Sequence, residues 1–152
     1  PLIIAAASIG FGLLLWYADV QGKRIRQINS INVRDALIIG FAQVLALIPG
    51  TSRSGITMTA ALMLGLDRLS AARFSFLMAV PIILAAGGYE SLKLIKSGFS
   101  VDMMNFILTI ILSAISAFLA IHYFLKFLEK IGMLPFVIYR VVLGVVLIIL
   151  FI

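Results

Sequence analysis

The sequence has 152 residues, 63% of them hydrophobic and 12% charged, with a formal net charge of +6 and no cysteine. A soluble domain has about half apolar and about a quarter charged residues, so this composition and a mean hydropathy of +1.21 exclude a soluble domain and indicate a lipid bilayer as the solvent. The same composition excludes a disordered chain, disulfide bonds and thiolate metal sites, and it offers no basic cluster on a soluble face for a nucleic-acid partner.

Apolar segments follow one another along the chain with short polar breaks between them. The sequence predicts membrane-spanning helices over 2–17, 70–89, 103–128 and 134–152. Pro81 predicts a kink in the second of these helices, and the stretch 93–102 that follows it is polar. The chain begins at Pro1 within an apolar run and without a basic n-region, so we expect no signal peptide and a piece of a longer protein.

Two short apolar pieces, 35–48 and 56–66, lie between the first two predicted spans. Joined into one helix they would be much longer than the roughly 20 residues that a span requires, and Pro49, Gly50 and Gly55 would break that helix. The sequence therefore predicts a re-entrant hairpin over 35–66 with its turn at 49–55. Irregular backbone at membrane depth is tolerated only when it is buried in protein or lines a wet cavity, and interrupted helices point to a binding site.

The distribution of charge tests this hairpin. If the chain returns, the loops at 18–34, 66–70 and 129–133 share one face. The basic residues on or near that face are Lys23, Arg24, Arg26, Arg34, Arg68, Arg73, Lys126 and Lys130. The opposite face holds Lys93 and Lys96, so the first face is predicted to be cytoplasmic and both ends of the chain to lie outside. A spanning 35–66 segment would place basic loops on both faces.

The turn PGTSRSG has the chemistry of an oxyanion site. Glycine lets the backbone approach a ligand closely, and the free N–H groups of the helix that starts near Gly55 point into the turn. Arg53 offers planar, permanently charged donors that suit two phosphate oxygens. The substrate-binding residues predicted for phosphate or pyrophosphate are Gly50, Thr51, Ser52, Arg53, Ser54, Gly55 and Thr57. In the alternative interpretation the hydroxyls only cap a turn and Arg53 pairs with a carboxylate or with carbonyls, but a buried charge in a membrane favours function.

Other polar residues in apolar segments are less informative. His122 is expected to be structural or interfacial, because no second histidine or nearby acid accompanies it. Arg140 could extend to the interface or pair inside the bundle, and Gln43 could face the site or bond a neighbouring helix. Phosphoryl hydrolysis needs a metal or charge clamp and an acid or base, and no carboxylate follows Asp35 before the turn. The sequence therefore contains the anion-binding residues of an active site, but no paired acids or other catalytic groups beside them.

The run PGTSRSGITMTAALMLGLDRLSAARFSFLMAVP resembles the second signature region of the undecaprenyl-diphosphate phosphatases, the bacitracin-resistance family, and LPFVIYRVVLG resembles their C-terminal pattern. The resemblance covers most of the chain. It implies an all-α, multi-pass protein of the bacterial inner (cytoplasmic) membrane, built from two inverted repeats that each contain a re-entrant hairpin. It also implies hydrolysis of undecaprenyl diphosphate to undecaprenyl phosphate and inorganic phosphate, which recycles the carrier of peptidoglycan synthesis and confers bacitracin resistance.

The resemblance also implies roles for particular residues. Arg53 would be the catalytic residue that binds the pyrophosphate, with Ser52, Ser54 and Thr57 lining the site. Residues 1–152 would form a single membrane domain, the C-terminal repeat and the helices after it. The glutamate-rich motif, a serine and a histidine of the family belong to an N-terminal repeat that is not in this sequence, and His122 does not match that histidine. The required divalent cation, Mg²⁺ or Ca²⁺, would find its ligands there, so this chain alone would be inactive.

Two other classes of function compete with this interpretation. A transporter or flippase of a phosphorylated lipid or small anion could use the same turn without hydrolysis, and a structural membrane subunit would not need Arg53 for binding. Release of inorganic phosphate from undecaprenyl diphosphate separates the enzyme from the transporter. The expected partners are the polyprenyl diphosphate, the bilayer and the N-terminal repeat, and the sequence leaves a homo-oligomer open.

Overall fold

The computed structural model describes residues 2–96 and 102–151, and within them the chain is helical, with no β-strand. Its α-helices are α1 (Leu2–Gln21), α2 (Val33–Val44), α3 (Arg53–Met63), α4 (Arg68–Lys96), α5 (Met103–Ile131) and α6 (Leu134–Phe151). Short 3-10 turns at Ile28–Ser30 and Leu45–Leu47 flank α2. The prediction of an all-α architecture is confirmed.

Helices long and apolar enough to cross a membrane are Leu2–Gln21, Arg68–Leu94, Met103–Ile131 and Leu134–Phe151. Together with the composition they confirm a multi-pass membrane protein. The second of them exceeds its predicted range of 70–89, because good helix formers such as Leu92 and Lys93 continue α4 to Lys96. The helix also contains Pro81 without ending there. Residues 97–101 of the predicted polar stretch lie outside the described residues.

Three loops meet at one end of the molecule, which we call the basic end: residues 22–32, 64–67 and 132–133. The N–H of Arg26 donates to the carbonyl of Gly65 at 3.0 Å. The guanidinium of Arg68 forms an ion pair with Asp19 at 2.6 Å and lies against Gly132, where a Cβ would be 2.9 Å from Arg68 Cζ. The loops that the charge pattern assigns to a common face therefore lie together.

The helices α2 and α3 turn back on each other. Arg26 contacts both open ends of the pair, because its guanidinium donates to Asp35 at the start of α2 at 2.5 Å and to the carbonyl of Leu64 after α3 at 3.1 Å. The connecting segment 45–52 lies at the other end of the pair, with Gly50 against the backbone of Ile4 in α1. The helical pair therefore begins and ends at the basic end.

The core lies among α1, α3, the first half of α4 and the start of α6. Its fully buried side chains include Ile39, Leu62, Leu66, Leu128 and Met133. Helices α1 and α6 approach closely at Gly12, where a Cβ would be 3.2 Å from Arg140 Cβ, as small residues allow in membrane bundles. By contrast, Leu128 is the only buried residue of α5, so almost the whole surface of this apolar helix is exposed in the described structure.

Candidate anion-binding site

The first turn of α3 is organised by Ser52. Its side chain accepts a hydrogen bond from the N–H of Gly55 at 3.2 Å, and its backbone has φ +44°, which is uncommon for a residue with a side chain. This cap starts the helix at Arg53 rather than near Gly55, so part of the predicted 49–55 turn is helical. The hydroxyls of Ser52 and Ser54 lie 3.4 Å apart, beside the positive end of the helix.

A cavity of about 280 Å³ opens beside this helix start, between α1, α3 and α6. Its polar lining residues include Ser8, Gly50, Ser52, Ser54, Gly55 and Arg140. Its apolar lining residues include Leu15, Met58, Phe124, Met133, Phe136 and Leu143. A largely apolar cavity that also presents a cation and hydroxyls suits an amphiphilic ligand with an anionic head.

Arg140 is the cation of this cavity. Its side chain is buried, Nη2 donates to the carbonyl of Gly50 at 2.7 Å, and Nε lies 3.4 Å from the carbonyl of Ser8. Nη1 lies beside Gly55, where a Cβ would be 2.6 Å away. Of the two interpretations left open by the sequence, pairing inside the bundle is therefore correct. Neither ion pair in the described part of the chain involves Arg140, so its charge is not neutralised there by a carboxylate.

The predicted site residues fall into two groups. Gly50, Ser52, Ser54 and Gly55 line the cavity together, whereas Thr51, Arg53 and Thr57 do not. Thr57 bonds to Ser75 of α4 at 2.7 Å and to the carbonyl of Arg53 at 3.0 Å, so its hydroxyl ties α3 to α4.

Polar atoms without a partner surround the same turn. Within residues 2–96 and 102–151, the buried atoms Gln43 Oε1, Thr51 Oγ1 and Arg53 Nη1 have no hydrogen-bond partner. Buried polar groups are nearly always paired in folded proteins, so these three atoms, at the end of α2, in the turn and at the start of α3, each keep an open hydrogen-bonding position.

The sequence did not identify Arg140 as a site residue. Arg140 is 90 residues from Gly50, and only the packing of α6 on α1 brings the two together. The sequence feature that points to Arg140 is a guanidinium in the middle of an apolar span, because a charge inside a membrane segment favours a functional role.

No carboxylate or histidine lines the cavity, and in the described ranges no three His, Asp or Glu side chains gather as a metal site. Asp19 and Asp35 are engaged in ion pairs at the basic end. His122 lies on exposed α5, with its ring 6.3 Å from that of Phe118. The residues described here do not fit a divalent cation.

The chain is similar in sequence to proteins of known family. A family model described as "Bacitracin resistance protein BacA" matches residues 1–146. The chain is 58% identical over 154 residues to "Undecaprenyl-diphosphatase 2" of Stutzerimonas stutzeri, which covers 99% of this chain and 57% of the relative. It is 56% identical over 145 residues to "Undecaprenyl-diphosphatase" of Teredinibacter turnerae, covering 95% of this chain and 55% of that relative. The chain thus spans little more than half the length of these relatives.

Proposed function

Because the chain belongs to the bacitracin resistance protein BacA family, we propose that it supplies the pyrophosphate-binding half of an undecaprenyl-diphosphate phosphatase. The complete enzyme hydrolyses undecaprenyl diphosphate to undecaprenyl phosphate and inorganic phosphate, recycling the lipid carrier of cell-wall synthesis. The names of the relatives support this reaction. The cavity is the observation that supports the proposal, because its lining combines one cation, serine hydroxyls and the start of α3 with apolar side chains.

The site would hold the substrate as an amphiphile. Arg140, the Ser52 and Ser54 hydroxyls and the N–H groups at the start of α3 bind phosphate oxygens. The isoprenoid next to the head lies against Phe124, Phe136 and Leu143. The apolar lining lowers the local dielectric constant and so strengthens each charged hydrogen bond.

Arg53 is proposed to bind the diphosphate once the rest of the protein completes its surroundings. Its buried and unpartnered Nη1 supports this role, since such an atom needs an acceptor. The acid or base, the nucleophile and the ligands of a divalent cation would come from an N-terminal repeat, because the cavity has no carboxylate or histidine.

The contacts of α2 and α3 support a placement of the chain in the membrane. We propose that this pair dips into the bilayer from the basic end and returns, while α1, α4, α5 and α6 cross the inner membrane. With about 1.5 Å per α-helical residue, α2 and its 3-10 extension reach about 24 Å, less than the roughly 30 Å of hydrocarbon. The excess of basic residues makes the basic end cytoplasmic.

The test is release of inorganic phosphate from undecaprenyl diphosphate by the full-length protein purified in detergent. We expect turnover in the wild type and a loss of about tenfold or more in Arg53→Lys, because an ammonium cannot reproduce the planar fork of donors. Arg34→Lys is the matched control, since Arg34 is exposed at the start of α2. Tight binding without phosphate release would favour a transporter, and near-wild-type turnover of Arg53→Lys would refute the role of Arg53.

A further inference from the structure

A second, larger groove lies between α5 and α6. Its volume is about 520 Å³, and its lining combines two lysines, Lys126 and Lys130, with the aromatic rings of Tyr123, Phe124, Phe127 and Phe136. We propose that this groove binds an anionic phospholipid of the surrounding membrane, with the lipid phosphate at the two lysines and an acyl chain along the rings.

The two lysines are free to hold an anion. They are four residues apart on α5, a spacing that puts both ammonium groups on the same face of a helix. Both side chains are exposed, and the ion pairs of the described residues, Arg26–Asp35 and Arg68–Asp19, do not involve them. A phosphodiester is the anion that a membrane presents to such a pair.

The aromatic rings that line the groove already contact one another without a bound lipid. The ring of Phe136 lies 4.9 Å from that of Phe124 and 6.1 Å from that of Phe127, the second pair being edge to face. These contacts fix the three rings before any lipid binds, so little side-chain entropy is lost on binding. Phe124 and Phe136 also line the cavity on their other side, and they therefore form the wall between cavity and groove.

In the proposed placement of the chain, the groove lies near the level of the lipid phosphates. Lys130 is in the last turn of α5, and the next residue after the helix, Gly132, lies against Arg68 at the basic end. Most of α5 before Lys126 is apolar and exposed. Lysines that end an apolar helix reach the headgroup region, so charge and depth both match an anionic lipid of that leaflet.

Lipid binding to the full-length protein in detergent, measured by native mass spectrometry, tests the proposal. The probes are dioleoyl phosphatidylglycerol and the zwitterionic dioleoyl phosphatidylcholine. We expect phosphatidylglycerol to bind more tightly, and Lys126→Gln/Lys130→Gln to weaken its binding about tenfold. The matched control is Lys93→Gln/Lys96→Gln, which removes two exposed lysines from the last turn of α4 and should leave binding unchanged.

Two further variants separate charge from packing and from folding. Lys126→Arg/Lys130→Arg keeps both charges and should keep phosphatidylglycerol binding, whereas Phe127→Ala, which touches the groove and not the cavity, should weaken it. Equal binding by wild type and the double Gln variant would overturn the proposal, and so would inorganic phosphate displacing the lipid completely. The experiment measures bound lipid and not released phosphate, so its result tests the lipid site independently of the proposed enzyme activity.

Discussion

Arg140 is a guanidinium buried in an apolar helix with only backbone carbonyls as partners in the described structure. Those carbonyls orient the side chain but leave its full charge uncompensated, and a buried charge without a counter-ion is costly in a membrane. An anion in the cavity beside Ser52 and Ser54 would remove that cost. The same contacts explain Gly55, whose missing side chain leaves room for Nη1 of Arg140.

Arg140→Lys should reduce phosphate release from undecaprenyl diphosphate by about ten- to hundredfold, because one ammonium cannot hold the Gly50 carbonyl and a phosphate together. The full-length protein is assayed beside Arg73→Lys, a change at an exposed site on α4. Thermal unfolding of both variants shows whether the bundle persists. Turnover of Arg140→Lys within twofold of wild type would contradict the role given to Arg140.

At the scale of elements, the α2–α3 pair is held at its open end by one ion pair. The hydrogen bonds from Arg26 lower the pKa of the Asp35 carboxyl, and the backbone N–H of Asn32 lowers it further. Asp35 also completes the capping box that starts α2. Loss of this carboxylate charge should therefore loosen both helices together.

The sign of the pH dependence follows from that lowered pKa. The stabilisation by Asp35 is complete above the ordinary aspartate pKa of about 3.9 and is lost as the pH falls through the lower folded-state value. Thermal unfolding should thus show Asp35→Asn less stable than wild type at pH 7, with the difference shrinking below about pH 4. Glu129→Gln, at an exposed position on α5, is the control. A difference that grows toward acid pH would contradict this assignment.

Sequence patterns predicted the elements well, since apolar runs and the PGTSRSG break determine where helices start and stop. The observed starts of two helices differ from the predicted ones because a local N-cap determines them: Asn32 caps α2, which begins at Val33, and Ser52 caps α3, which begins at Arg53. The composition of the cavity could not be predicted in full. Arg140 lines the cavity because helices distant in sequence pack together. Thr57 does not line it, and its hydroxyl is hydrogen-bonded to Ser75, 18 residues later.

At the scale of the whole molecule, the contacts at the basic end support the proposed order of membrane crossings. Helix α1 ends there, the α2–α3 pair leaves and returns there, α4 departs, and α5 ends there before α6 departs. In the proposed topology, Lys23 and Lys130 lie on one side of the membrane and Lys93 lies on the other. A spanning 35–66 segment would instead put Lys23 and Lys93 on the same side.

Single cysteines distinguish these topologies, because this sequence contains no cysteine. In a full-length protein without other cysteines, we expect Lys23→Cys and Lys130→Cys to react with a membrane-impermeant thiol reagent only from the cytoplasmic side. Lys93→Cys should react only from the outside. Labelling of Lys23→Cys and Lys93→Cys from the same side would overturn the returning pair.

The small volume of the cavity has a consequence for how a substrate is delivered. About 280 Å³ is at the lower limit for an ordinary small-ligand pocket, which leaves room for a diphosphate and the first part of its chain. A long polyprenyl tail would stay dissolved among the lipids throughout the reaction. The search for substrate would then be a two-dimensional one, in which the membrane concentrates the substrate and holds its head near cavity depth.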